Sequence, residues 1–195
     1  EVSRTGNSAF DIMEPLDSHT FLGLEPIEKS VDVVVLSLPY ELTTSYGTGT
    51  AEGPISCIEA STQVELYDKE LEADLPAGLA IHTAKAWDGE EPTLLHQLDS
   101  IVGYLNPWFN GDCFPLTLGG EHGILPPLME AVRNHPLVHN DLSNLTVVQI
   151  DAHGDLRSEF DDEPYSHACA AARALDAGIG RLLQVGIRAF SKEEH

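Results

Sequence analysis

The stretch Val147-Val148-Gln149-Ile150-Asp151-Ala152-His153-Gly154-Asp155 decides the fold, because a short apolar run ends abruptly in two carboxylates that flank an imidazole. Such a run is typical of a buried parallel strand with functional side chains at its C-terminal end. Alternate residues of an extended segment point to one face, with about 6.6 Å between successive same-face positions. Asp151, His153 and Asp155 can therefore converge on a volume that fits one or two divalent ions, although a hydrogen-bonded His–Asp pair is the simpler alternative.

A second motif, Leu116-Thr117-Leu118-Gly119-Gly120-Glu121-His122-Gly123, has the same design. An apolar strand is followed by glycines that permit a tight turn, and then by an acid and a histidine. Because strand C-termini share one edge of an α/β sheet, His122 can meet Asp151, His153 and Asp155. Neither motif contains cysteine, so carboxylate and imidazole donors favour a hard to borderline divalent metal over a thiolate zinc site.

Apolar segments and helical patterns alternate along the chain, which predicts a three-layer α/β/α sandwich with a mainly parallel sheet. Residues 1–30 are predicted to be an irregular segment on the surface or against a neighbouring subunit, and residues 31–195 one α/β domain. The sequence predicts strands at 31–38, 78–82 and 182–187, with others ending at 118 and 150, and helices at 54–67, 94–105, 124–133 and 166–177.

The composition argues against two classes of partner. A formal net charge of −22 disfavours nucleic acid and anionic membranes. The charge could attract a cationic substrate, although an acidic solvated surface is the preferred explanation. No apolar run approaches the ~20 residues that span a bilayer. The dispersed cysteines, Cys57, Cys113 and Cys169, predict reduced thiols and a cytoplasmic location.

Several motifs together resemble the ureohydrolase family of arginase and agmatinase. They are Gly119-Gly120-Glu121-His122, Asp151-Ala152-His153-Gly154-Asp155 and Ser166-His167-Ala168. Further motifs, Pro39-Tyr40, the Thr- and Gly-rich stretch at 43–54 and Asp155-Leu156-Arg157, are more similar to the agmatinase branch than to arginase. The similarity extends from about Val31 onward and implies an arginase-like fold, with the 43–54 loop, including Tyr46, at the active-site mouth or a subunit contact.

The resemblance also implies a pair of Mn²⁺ ions. One would be held by His122, Asp151 and Asp155, and the other by His153 with Asp151 bridging. Such ions lower the pKa of a shared water and so supply a nucleophile for the guanidinium carbon. His167 would border the substrate and shuttle a proton, with a helix N-terminal histidine capped by Ser166 as the alternative. Glu121, where arginases more usually have Asp, would lie outside the ligand shell and orient His122.

The implied reaction is hydrolysis of a small cationic guanidino compound, with agmatine the first candidate, giving putrescine and urea. The further candidate substrates are aminopropylagmatine, guanidinobutyrate, arginine and guanidine. A homo-oligomer, either trimer or hexamer, is also implied by the family.

The C-terminus predicts that the chain is truncated. Ser191-Lys192-Glu193-Glu194 has the form of a capping box that opens a helix, yet the sequence stops one residue later. By resemblance, the chain would be the N-terminal two-thirds of a ureohydrolase, lacking an Asp-x-Asp pair that completes both metal shells. The alternative is a truncated, catalytically inactive module that binds metal or a partner.

Overall fold

A computed structural model of the chain describes residues 19–25, 30–89 and 91–195. Most of the predicted N-terminal segment 1–30 therefore lies outside the described residues. Within them, the helices are α1 (Gly53–Ser61), α2 (Leu94–Leu105), α3 (Leu125–Arg133) and α4 (Ala170–Asp176). The strands are β1 (Val33–Leu38), β2 (Tyr67–Asp68), β3 (Ala73–Asp74), β4 (Ile81–Thr83), β5 (Phe114–Gly119), β6 (Thr146–Ile150) and β7 (Arg181–Val185).

The mainly parallel sheet is confirmed, although its strands form two hydrogen-bonded groups. One group has the order β4-β1-β5, and the other consists of β6 paired with β7; all of these pairs are parallel. The short strands β2 and β3 form a separate antiparallel ribbon. Because β5 and β6 are parallel strands followed directly by the two polar motifs, their C-terminal ends carry the candidate site.

Helices pack on both faces of the sheet around β1. The side chains of Val34, Leu36 and Leu38 are fully buried in one cluster with Leu98 and Ile101 of α2 and with Ala131 of α3. The alternate residues of β1 face the other way, and helix α1 contacts β1 and β5. This arrangement is the predicted α/β sandwich. None of the helices in the described part of the chain is long and apolar enough to cross a membrane.

Helix α1 is shorter than predicted, since it ends at Ser61 rather than near Tyr67. The Ser61 hydroxyl donates to the Ile58 carbonyl over 2.6 Å and accepts from Leu22 N–H over 2.8 Å, which ties the helix end to a preceding turn. Tyr67 then pairs with Asp74 in the β2–β3 ribbon. These tertiary contacts override a helical pattern that the local sequence alone could extend.

Acid should destabilise the protein through His82, which β4 places in the core with 6% of its surface exposed. Its ring lies 5.8 Å from that of Trp108, its Nε2 has no hydrogen-bond partner among the described residues, and burial lowers its pKa below 6.5. Below pH 6.5 the unfolded chain binds a proton that the folded chain resists. Stability should therefore fall as the pH drops through the folded-state pKa.

We expect urea denaturation between pH 7 and 5 to show a smaller loss of stability for His82→Leu than for the wild type. Exposed His96 on α2 provides the matched control, because His96→Leu should leave the wild-type slope in place. Equal slopes for the wild type and His82→Leu would contradict the prediction.

Strands β5 and β6 expose large apolar side chains. Phe114 is 66% exposed, Val148 56% and Ile150 83%, and within the described residues each strand has a single hydrogen-bonded neighbour. Unpaired edges with apolar side chains favour association.

We expect the 195-residue chain to self-associate despite its charge of −22, because salt screens repulsion beyond about 8 Å. Light scattering should show mass rising with concentration, and less so for Val148→Lys; a monodisperse monomer would refute this.

Candidate metal centre

The C-terminal ends of β5 and β6 bring His122, Asp151 and Asp155 together. His122 Nδ1 lies 2.8 Å from Asp155 Oδ2 and 3.2 Å from Asp151 Oδ2. One potential ligand atom from each of the three residues lies within 4.8 Å of the others. Two carboxylates and an imidazole that converge in this way provide a donor set for a hard to borderline divalent cation.

Local backbone geometry explains how this convergence arises. Strand β6 ends at Ile150, so the residues that follow do not continue as a regular strand. Asp155 has a φ of 51°, a left-handed conformation that turns its buried carboxylate back toward Asp151. Gly120 passes so close to the carbonyl of Tyr40 that a Cβ atom at this position would collide with it. Both turns therefore depend on specific backbone conformations at the sheet edge.

His153 stands beside this trio. Its Nδ1 lies 3.6 Å from Asp151 Oδ1, and its backbone N–H donates to the same oxygen over 2.7 Å. Asp151 therefore directs one carboxylate oxygen toward His153 and the other toward His122. This arrangement is compatible with the bridging position implied for Asp151, while the imidazole of His153 remains 69% exposed.

The charges of the centre reinforce one another. The hydrogen bond to Asp155 raises the pKa of His122, and the charges of Asp155, Asp151 and Glu121 add to this effect while burial opposes it. Burial acts to raise the pKa of Asp151. It is outweighed by the His153 backbone hydrogen bond, the charge of His122 and the Gln149 amide, so that the pKa of Asp151 is lowered. The cluster thus favours a positive charge between its two carboxylates.

Two glutamines that the sequence analysis did not identify support Asp155. Gln149 Nε2 donates to Asp155 Oδ2 over 3.0 Å, and Gln184 Nε2 donates to Gln149 Oε1 over 2.8 Å. Gln184 also donates to the Gly154 carbonyl over 2.6 Å. The two glutamines are register partners on β6 and β7. A polar residue interrupting each apolar strand, in Val-Val-Gln-Ile and Leu-Leu-Gln-Val, was the available signal.

We expect Gln149→Leu to weaken metal binding by about 10–100-fold, the usual cost of losing a partner that orients a ligand. The leucine keeps a similar volume but leaves Asp155 without the amide donor. Calorimetric titration with Mn²⁺ measures the change, and Gln97→Leu on α2 is a matched control away from the site. Unchanged affinity in Gln149→Leu would show that Asp155 needs no support from β6.

Glu121 is 6% exposed, and its hydrogen bonds run to the loop after β1. Its Oε2 accepts from the backbone N–H groups of Leu42 and Thr43 over 3.2 and 2.9 Å, and its Oε1 accepts from the Thr43 hydroxyl over 2.8 Å. Within the described residues, Glu121 forms no hydrogen bond to His122. Its negative charge instead helps to raise the pKa of the His122 imidazole. The Glu121 carboxylate thus links the backbone of residues 42 and 43 to the turn after β5 through hydrogen bonds.

His167 begins a 3₁₀ turn that leads into α4. Its backbone N–H donates to Thr43 Oγ1 over 2.8 Å, and its Nδ1 lies 3.3 Å from both Thr43 Oγ1 and Ser166 Oγ. Ser166 occupies the N-cap position, but its side chain forms no capping hydrogen bond. His167 thus has the helix N-terminal position of the alternative, but without a capping hydrogen bond from the Ser166 side chain.

An open cleft of about 730 Å³ joins these parts. The cleft is lined by the cluster of His122, Asp151 and Asp155, and also by His153, Glu121 and His167. Residues 44–46 of the Thr- and Gly-rich loop line it as well. Tyr46 is fully exposed at this loop. Phe160 also lines the cleft. The centroid of its ring lies 6.1 Å from that of His167 in a T-shaped arrangement, and 5.2 Å from the guanidinium carbon of Arg157.

The predicted capping box lies at the rim of the same cleft. Ser191 N–H donates to Glu194 Oε2 over 2.6 Å, and Glu194 N–H donates to Ser191 Oγ over 3.3 Å, which is the reciprocal pattern of a capping box. Glu194 Oε1 also accepts from Leu156 N–H over 3.1 Å, which ties this turn to the segment after Asp155.

Fold and site together define an α/β protein with a candidate metal centre at the carboxyl edge of its sheet. The sequence profile of the Arginase family matches residues 31–195. The chain belongs to the arginase family.

Individual relatives agree with this membership. The chain is 36% identical over 180 residues to an N(1)-aminopropylagmatine ureohydrolase of Synechocystis, covering 89% of this chain and 57% of the relative. It is 30% identical over 188 residues to an agmatinase of Bacillus cereus, covering 93% of this chain and 60% of the relative. The solved agmatine ureohydrolase of Thermoplasma volcanium superposes with a TM-score of 0.67 at 30% identity, covering 84% of this chain and 53% of that structure. The chain thus spans somewhat more than half the length of these relatives.

Proposed function

We propose that this chain forms part of a metal-dependent ureohydrolase, which hydrolyses a guanidino compound to urea and an amine. The observation that carries the proposal is the meeting of His122, Asp151 and Asp155 within 4.8 Å, in a cleft that His167 also lines. Relatives named agmatinase and aminopropylagmatine ureohydrolase support the same reaction class.

The donor set fits a divalent metal such as Mn²⁺, and we propose two ions in the whole protein. His122, Asp151 and Asp155 would hold one ion, and His153 with Asp151 would contribute to the other. Oxygen and imidazole donors without thiolate suit Mn²⁺. When bound, the metal would supply Lewis acidity for activating water at neutral pH.

The residues of the chain itself would perform the remaining tasks. Gln149 and Gln184 hold Asp155 in place, and Asp151 links the two histidines. His167 would deliver a proton to the departing amine, because an imidazole can both accept and donate a proton. The aromatic ring of Phe160 lies beside this imidazole in a T-shaped arrangement.

Agmatine is the first candidate substrate, and N1-aminopropylagmatine is the second. Both carry a guanidinium group and a distant amine, which a protein with a net charge of −22 would attract. The 36% identity to an aminopropylagmatine ureohydrolase specifically favours keeping the second candidate. We further propose a cytoplasmic homo-oligomer, either a trimer or a hexamer.

The test is urea release by the protein from its complete reading frame after loading with Mn²⁺. The panel comprises agmatine, N1-aminopropylagmatine, guanidinobutyrate, arginine and guanidine. We expect the highest kcat/KM with agmatine and loss of activity on chelation. Fastest turnover of N1-aminopropylagmatine would select the second candidate over the first. Absence of urea with every compound would contradict the proposed reaction and favour the inactive binding module.

A further inference from the structure

The hydroxyl of Thr43 has three hydrogen-bonding neighbours. It donates to Glu121 Oε1 over 2.8 Å, accepts from the backbone N–H of His167 over 2.8 Å, and lies 3.3 Å from the Nδ1 of His167. A threonine hydroxyl has one proton and two lone pairs. Glu121, which accepts two backbone N–H groups as well, uses that single proton. Thr43 therefore has only a lone pair left for the imidazole.

The Thr43 contact therefore favours a proton on Nδ1 of the His167 ring. If Nδ1 carried no proton, its lone pair would face that of Thr43 Oγ1. If Nδ1 carries the proton, it donates to Thr43 and both lone pairs of the hydroxyl are satisfied. Ser166 Oγ, also 3.3 Å from Nδ1, can accept from a protonated Nδ1 or donate to an unprotonated one, so the preference for the Nδ1 proton rests on Thr43. In the neutral ring, the lone pair then lies on Nε2, which makes no hydrogen bond within the described residues.

We propose that Glu121 and Thr43 are positioning residues that hold His167 as the Nδ1-protonated tautomer, leaving Nε2 as the nitrogen that exchanges protons in the cleft. The role of Nε2 rests on the proposed ureohydrolase function, whereas the tautomer itself does not. Thr43 and Glu121 lie 78 positions apart in the chain, and Thr43 and His167 lie 124 apart. The hydrogen bonds from Glu121 through Thr43 to His167, here called the relay, thus connect the turn after β5 to the start of α4 through the loop after β1.

The relay makes opposite predictions for two substitutions. In Glu121→Gln, the oxygen of the amide can still accept from the 42–43 backbone, but its NH₂ group must donate to Thr43 Oγ1. The threonine proton is then free to point at His167 Nδ1, so the Nε2-protonated tautomer should be favoured. Thr43→Val removes the hydroxyl and should leave a mixture of tautomers, whereas Thr43→Ser should restore the wild-type form.

The test is ¹⁵N NMR of histidine-labelled protein in its metal-free form, at a pH where the His167 ring is neutral. A His167→Gln variant assigns the signals, and circular dichroism checks the fold of each variant. We expect Nδ1–H in the wild type and in Thr43→Ser, a mixture in Thr43→Val, and Nε2–H in Glu121→Gln. Nε2–H in the wild type, or the same tautomer in all folded variants, would overturn the proposal.

Kinetics separate this proposal from the proposed function. In the Mn²⁺-loaded protein, Thr43→Val should lower kcat by at least about 10-fold, part of what a positioned general acid contributes, with little change in KM. Thr43→Ser should recover most of that loss. Urea release by a wild type that holds the Nε2–H form would overturn the positioning role and leave the ureohydrolase function intact. The expected tautomers in a protein that releases no urea would support the relay and contradict the function.

Discussion

Asp151→Asn is expected to remove most of the bound metal and, with it, detectable urea release. The carboxylate of Asp151 faces both histidines, with one oxygen 3.2 Å from His122 Nδ1 and the other 3.6 Å from His153 Nδ1. An amide in its place has no negative charge and directs an NH₂ group toward one of the two positions. The substitution should therefore weaken both metal positions together.

Asp155→Asn is the matched comparison, because it makes the same chemical change at the neighbouring carboxylate. Asp155 contacts His122 and Gln149 but has no described contact with the His153 ring. Elemental analysis of the purified Mn²⁺-loaded variants should show less metal per chain in Asp151→Asn than in Asp155→Asn. Two equivalents retained in Asp151→Asn would rule out a bridging role.

His167→Ala is expected to lower turnover of the whole protein by about 10² to 10⁴ while the metal content stays unchanged, since a positioned proton donor typically contributes that factor. The histidine lines the cleft and is tied by its backbone N–H to Thr43, which in turn is tied to Glu121. The alanine keeps the backbone hydrogen bond but removes the imidazole. Steady-state kinetics at saturating agmatine, together with elemental analysis, measure both quantities.

His96→Ala is the control for His167→Ala, because His96 is exposed on α2 and does not line the cleft. We expect wild-type turnover from it. Wild-type turnover from His167→Ala as well would remove the proton-shuttle role from His167. A loss of metal in His167→Ala would instead place the residue among the groups that maintain the metal centre.

The sequence predicted those features that follow from local patterns and from the geometry of parallel sheets. Helix α2 has the bounds that its apolar spacing predicts, and Thr93 Oγ1 caps it by accepting from His96 N–H over 3.3 Å. The meeting of His122 with Asp151 and Asp155 follows from the shared edge of strand C-termini. These inferences need no knowledge of strand order or register.

Features that depend on long-range register were not predicted. The Gln149–Gln184 pair requires the alignment of β6 with β7, which a single sequence does not specify. The contact between Thr43 and Glu121 depends on how the loop after β1 folds over the turn after β5. The sequence therefore indicated which residues could bind metal, but not which side chains hold them and His167 in position.

Anomalous X-ray diffraction from Mn²⁺-soaked crystals would show whether His122, Asp151 and Asp155 bind the metal, because it locates the ion independently of turnover. We expect an anomalous peak at the manganese edge in contact with His122 Nδ1 and with the carboxylates of Asp151 and Asp155. The peak should vanish in crystals of Asp151→Asn. A well-ordered site without an anomalous peak at saturating Mn²⁺, or a peak bound elsewhere, would contradict the assignment of this cluster as the metal centre.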